Sequence, residues 1–106
     1  MNIKHFIEEK KIVAELTEEI DHHTSERIRS RLDYEIQRFM PKKVIIDLQK
    51  VSFMDSAGIG LIIGRYKQTA CFGGVLELQN VSPNLQRIFE MSGITKIINI
   101  KEYEFN

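Results

Sequence analysis

The sequence is sparing with the residues that usually advertise chemistry. It holds one cysteine, Cys71, so no disulfide can form within the chain, and a lone thiol fits a reducing compartment. Fifteen basic and fifteen acidic residues cancel to a net charge of zero, and neither sign gathers into a block. That removes the electrostatic footprint expected of a nucleic-acid or anionic-membrane binder. No stretch approaches the ~20 apolar residues of a membrane span, and the charged, alternating start MNIKHFIEEKK is unlike a signal peptide. A cytoplasmic protein with protein or small-molecule partners, no nucleic acid and no membrane, is the expectation.

Catalytic signatures are missing too. Gly58, Gly60 and Gly64 give G-x-G-x-x-x-G, one residue too long for a dinucleotide fingerprint and already inside a helical pattern. No G-x-x-x-x-G-K-[ST] run is present to cradle a phosphate. A nucleophile elbow needs glycine two positions before its serine, where this chain has Met54. His22 and His23 are adjacent, so on a helix they point about 100° apart, and only Glu26 lies at a usable spacing. They read as helix-start residues rather than metal ligands, and Cys71, ending an apolar helix, reads as packed rather than reactive. No metal or other cofactor is expected.

What is present is a dense, regular pattern. The 106 residues suit one domain spanning 1–106, long enough to bury roughly 60 to 70% of the unfolded surface. Ile3, His5 and Ile7 alternate with polar residues, as do Ile12, Ala14 and Leu16 after EEKK, which predicts two strands joined by a turn. Ile28, Leu32, Ile36 and Phe39 then recur at helical spacing, with Asp21 as N-cap and Pro41 as stop. VIIDL at 44–48 reads as a central strand covered on both faces. Ile59, Ile62, Ile63, Tyr66 and Ala70 mark a second helix ended by Gly73 and Gly74, and VLEL a further strand. Ser82, Pro83 and Gly93 punctuate a third helix, and KIINI is the last strand. From the second strand on, strand and helix alternate to the end. The fold class is therefore α/β: a mostly parallel mixed sheet of about five strands with helices packed on it and an N-terminal strand pair.

Ser56, in FMDSAGIG, is the residue this pattern leaves open. One reading makes it a helix cap whose hydroxyl accepts free backbone N–H groups. Another follows from Gly60 and Gly64, which recur every four residues from Ser56 and so share a face. Two helical glycines cost about 1 kcal/mol each relative to alanine. They serve either close packing against the chain's own sheet or a smooth approach for another protein.

IDHHT (20–24), VSFMDSAGIGLIIGRYKQ (51–68), GG (73–74) and SPNLQRIFEMSGITKII (82–98) together resemble the STAS superfamily, named for sulfate transporters and anti-sigma antagonists, and within it the sporulation antagonists. The resemblance implies that Ser56 is phosphorylated by an anti-sigma factor that is itself a serine kinase using ATP. Unphosphorylated, such a protein binds that kinase and releases the sporulation sigma factor F; phosphorylated, it lets go, and a serine phosphatase resets it. The chain is then a substrate and ligand, not an enzyme. The partner-binding surface implied comprises Asp21 together with Met54, Asp55, Ser56, Ala57, Gly58, Ile59, Gly60 and Gly64. Relatives often carry a second hydroxyl where this chain has Ala57, leaving Ser56 as the acceptor in the motif. They also commonly have glycine where Glu18 stands in TEEID. The alternatives are an antagonist in another pathway such as general stress, against which DHHT and GRYKQ argue, and a STAS domain that senses a ligand.

Overall fold

The computed structural model describes residues 1–102. Its elements run β1 (Asn2–Phe6), β2 (Lys11–Glu15), α1 (Ser25–Phe39), β3 (Lys43–Asp47), α2 (Ser56–Cys71), β4 (Val75–Val81), α3 (Pro83–Ser92), a 3₁₀ turn (Ile94–Lys96) and β5 (Asn99–Glu102). The sheet order is β1-β2-β3-β4-β5, with β1 antiparallel to β2 and every later neighbour parallel. The mixed, mostly parallel five-stranded sheet with its opening hairpin is the one the sequence predicts.

Because the three crossovers all step the same way across the sheet, right-handed connections put all three helices on the same face. Register and burial agree. Ile12, Val44 and Leu76 form one row, and Ala14, Ile46 and Leu78 the next; all six are buried. Onto these rows α1 lays Ile28, Leu32 and Ile36, α2 lays Leu61 and Ile62, and α3 lays Leu85 and Phe89. The other face is free of helices, which corrects the expectation for β3. Ile45 on that face is 8% exposed, hidden among neighbouring strands rather than beneath a helix, and beside it Glu77 holds Lys43 and Lys101 at 3.2 and 3.7 Å.

Several boundaries move. The first helix begins at Ser25, and its formal cap, Thr24, makes no side-chain capping bond. Asp21 instead caps the turn just before it: its Oδ1 accepts from the His23 N–H (2.8 Å) and the Thr24 N–H (3.0 Å). His22 and His23 therefore lie in that turn, exposed, with no metal-holding cluster among the described residues. In α2 the inward positions are Gly58, Leu61, Ile62 and Thr69, while Ala70 and Cys71 are exposed. Cys71 is thus not packed; the helix has turned it outward by its last residue. Of KIINI, Lys96 closes the 3₁₀ turn and Ile97 caps it, so β5 starts at Asn99. The third helix matches in every punctuation mark, with Ser82 Oγ accepting from the Leu85 N–H, Pro83 first, and Gly93 left-handed at φ 82°.

Candidate functional site: the acceptor loop and its neighbours

Parallel strands end side by side, so the loops after β2 and β3 meet at the carboxyl edge of the sheet, where α/β folds place their sites. An isolated bridge joins Ile20 to Met54 and sets Asp21 next to Asp55. The two segments singled out in the sequence, IDHHT and FMDS, are brought together in this way.

Ser56 is the first residue of α2, and the cap is its neighbour. Asp55 has extended backbone, and its Oδ1 accepts from the Ala57 N–H (3.0 Å) and the Gly58 N–H (3.2 Å). The capping role proposed for Ser56 is thereby filled by Asp55, which as a carboxylate also suits the positive end of the helix dipole. Ser56 is exposed, and its hydroxyl makes no hydrogen bond among the described residues. It stands one residue past the cap with its oxygen uncommitted.

The glycines divide by role. A Cβ on Gly58 would run into the Met54 side chain and approach the Ile20 carbonyl to 3.3 Å, so glycine is needed where α2 passes the IDHHT loop. Gly60 and Gly64 would meet nothing within 4 Å. Close packing on the chain's own sheet is therefore not their reason, and of the two explanations the smooth outward approach remains. Met54 (2% exposed) and Gly58 are buried, so they support the surface from beneath rather than contact anything above it. Ser56 and Gly60 are exposed; Asp55, Ala57, Ile59 and Gly64 are partly so.

The two carboxylate oxygens of Asp21 are used unequally. Its Oδ1 is used inward, by the N–H groups of His23 and Thr24 and by the Thr24 hydroxyl at 3.3 Å, and hydrogen bonds from those amides, Thr24 foremost, hold its carboxyl below the usual carboxylate range. Oδ2 makes no hydrogen bond among the described residues.

Two residues that sequence reasoning passed over fix the acceptor loop from outside. Glu19 reaches across 33 positions to accept from the Ser52 N–H (3.2 Å) and hydroxyl (3.1 Å), and its second oxygen accepts from the Phe53 N–H (3.2 Å). From α3, the Asn84 amide donates to the Ser52 carbonyl at 2.7 Å. Nothing in TEEID marks Glu19 as the one that reaches the loop before α2; its neighbour Glu18 pairs with Arg27 at 2.8 Å instead. Glu18 is not among the positive-φ residues, which explains why the turn does not require glycine there. Beside Ser56 lies a shallow apolar cavity of about 370 Å³ whose rim includes Ile59, Ile88 and Met91, the last 87% exposed.

The family profile for the STAS domain matches residues 5–104. The chain belongs to the STAS domain family. It is 39% identical to an anti-sigma F factor antagonist of Paenibacillus polymyxa, over 90% of this chain and 81% of that one. To an anti-sigma-B factor antagonist of Listeria monocytogenes it is 36% identical, over 81% of this chain and 75% of that one. Among solved structures it is similar to the anti-sigma factor antagonist SpoIIAA, at 29% identity over 93% of this chain. For the unphosphorylated form the TM-score is 0.79 with 85% of that chain covered, and for the phosphorylated Bacillus form 0.70 with 88% covered. The STAS fold accounts for the five-stranded sheet and three helices, and the curated names place this chain among anti-sigma factor antagonists while dividing over the sigma factor. No helix among the described residues is long and apolar enough to cross a membrane.

Proposed function

We propose that this chain is the antagonist in a partner switch. In its unphosphorylated form it binds an anti-sigma factor that is also a serine kinase, freeing the sporulation sigma factor F in the cytoplasm, and phosphorylation of Ser56 ends the binding. The observation that carries the reading is the division of labour at the start of α2: Asp55 caps, and Ser56, exposed and without a hydrogen-bond partner, is free to react. Likeness to a protein known in unphosphorylated and phosphorylated forms supports it.

In the transfer, the Ser56 oxygen attacks the γ-phosphorus of the kinase's ATP, the bond to ADP breaks, and the hydroxyl proton passes to a base on the kinase. The chain supplies the acceptor and no catalytic group. The product carries about −1.5 to −2 charge at neutral pH. At a helix N-terminus the dipole favours that charge by about 0.3 to 1 kcal/mol, so the fold survives. Asp55 alongside adds like-charge repulsion.

Moving a complex from 99:1 bound to 1:99 takes about 5.5 kcal/mol of differential affinity. Burying an unpaired dianion in a contact fitted to a hydroxyl is a penalty of the right order. Hydrolysis of the phosphoserine by a separate phosphatase restores the binding form.

The test is to mix the protein with the anti-sigma factor kinase of the same genome and ATP. A phosphate mass shift on the peptide holding Ser56, absent in Ser56→Ala, is expected. In calorimetry Ser56→Ala retains kinase binding and Ser56→Asp weakens it; equal affinity of the two variants, or no mass shift, refutes the reading. The identity to a sigma-B antagonist favours a second pathway, general stress, and whichever of the two kinases binds decides between them.

A further inference from the structure

Between α1 and α2, running on from Ser56 along the Gly60 and Gly64 face, lies a groove of about 530 Å³ whose arginines the antagonist reading leaves without a role. Ser25, Glu26 and Arg29 line it from α1, and Gly60, Gly64 and Arg65 from α2. Neither glycine would meet anything if it carried a Cβ, so the space between the helices is kept open rather than filled.

The charges in it are unbalanced in their placement. Arg65 is only 12% exposed and has Asp33 at 3.0 Å from its Nε, off the line of a proper hydrogen bond. Arg29, from the opposite wall, is near enough to oppose the Arg65 charge. Burial and Arg29 both act to lower the Arg65 pKa against the pull of Asp33. Among the described residues Arg29 itself has Glu26 alone, at 3.4 Å and with a side chain 82% exposed, a contact of the kind worth about 0 to 1 kcal/mol. Two guanidinium groups thus flank one open groove with weak or misaligned partners, and a carboxylate placed between them satisfies both, since guanidinium forks bind carboxylates in two-point fashion.

We infer that this groove is the second half of the partner interface, receiving an acidic side chain of the anti-sigma factor kinase between Arg29 and Arg65 while Ser56 faces the active site. The inference rests on the reading of the chain as that kinase's ligand. It makes the two open glycines intelligible: any side chain at 60 or 64 stands in the path of the incoming acid. It also gives the two guanidinium groups a part in docking that is distinct from the part of Ser56 as acceptor.

The experiment is calorimetry of the unphosphorylated full chain with the kinase. Arg29→Glu, at an exposed position with one weak contact, leaves the melting temperature unchanged and lowers affinity at least tenfold; Glu26→Gln raises it. Arg31→Glu, two residues on and so on the opposite side of α1, changes net charge identically and stays within twofold of wild type. If Arg29→Glu also stays within twofold, or Arg31→Glu weakens binding equally, the groove assignment falls. If the amides of Gly60 and Gly64 shift on adding inorganic phosphate while Arg29→Glu still binds the kinase normally, the groove belongs to a free anion and the assignment falls as well. Absence of Ser56 phosphorylation in the wild-type protein overturns instead the reading beneath it.

Discussion

Helices α2 and α3 both open on a serine, in MDSAG and VSPNL, and the two serines are put to opposite uses. Ser82 stands outside its helix with extended backbone, and its hydroxyl accepts from the Leu85 N–H at 3.2 Å; Pro83 follows in the first helical position, where the missing N–H is no loss. Ser56 stands one place further in. Asp55 holds the capping position ahead of it, and the serine hydroxyl is left without a partner. The lesson is that a single position relative to the helix boundary separates a serine that holds the fold together from one that is available for modification. The difference lies in the residue before it: valine precedes Ser82 and offers no acceptor, whereas aspartate precedes Ser56 and takes both amides.

The contrast can be broken at its strongest point first. Asp55→Ala removes the acceptor for two amides and a charge at the positive end of α2, and an unfolding free energy lower by about 1 to 2 kcal/mol is expected in urea titration. If Ser56 moves into the vacated cap, adding Ser56→Ala to that variant lowers stability beyond the sum of the single changes. Next, Ser82→Ala lowers stability by about 1 kcal/mol, read as a fall of about 4 to 8 °C in melting temperature for a domain of this size.

Gly60→Ala works in the other direction. With nothing within 4 Å of the new Cβ, the helix gains roughly 0.5 to 1 kcal/mol, while kinase affinity falls because the open face is obstructed. A variant that is both more stable and still fully able to bind refutes the role given to that face. The smallest effect on stability belongs to Ser56→Ala, within about 0.5 kcal/mol of wild type. A loss as large as that of Ser82→Ala means Ser56 is a cap after all, and the comparison fails.

Most of the fold was open to reading because its signals are local. Alternation placed β1 and β2, the spacing of Ile28, Leu32 and Ile36 placed α1, and Ser82, Pro83 and Gly93 bounded α3 to the residue. Where reading slipped, two local rules competed for one residue. Asp21 carries the side chain of a helix cap but caps the turn before the helix, and Ser56 competed with Asp55 for a position only one of them can hold. The outward turn of Cys71 and Ala70 was missed because their apolar character says nothing about which side of a helix the sheet lies on.

By itself, then, the sequence determined the α/β alternation, the helix-terminating glycines and proline, and the likeness to STAS-domain anti-sigma factor antagonists. Each is a property of nearest neighbours along the chain, or of a motif. Only the tertiary structure decided that Glu19 and Asn84 both hold the loop before α2, that Ile20 lies beside Met54, that all three helices share one face, and that Arg29 and Arg65 confront each other across a groove floored by glycine. Those pairings join residues some 30 or more positions apart. They exist because the parallel sheet sets strand ends and helices side by side, an arrangement that no short window of sequence contains.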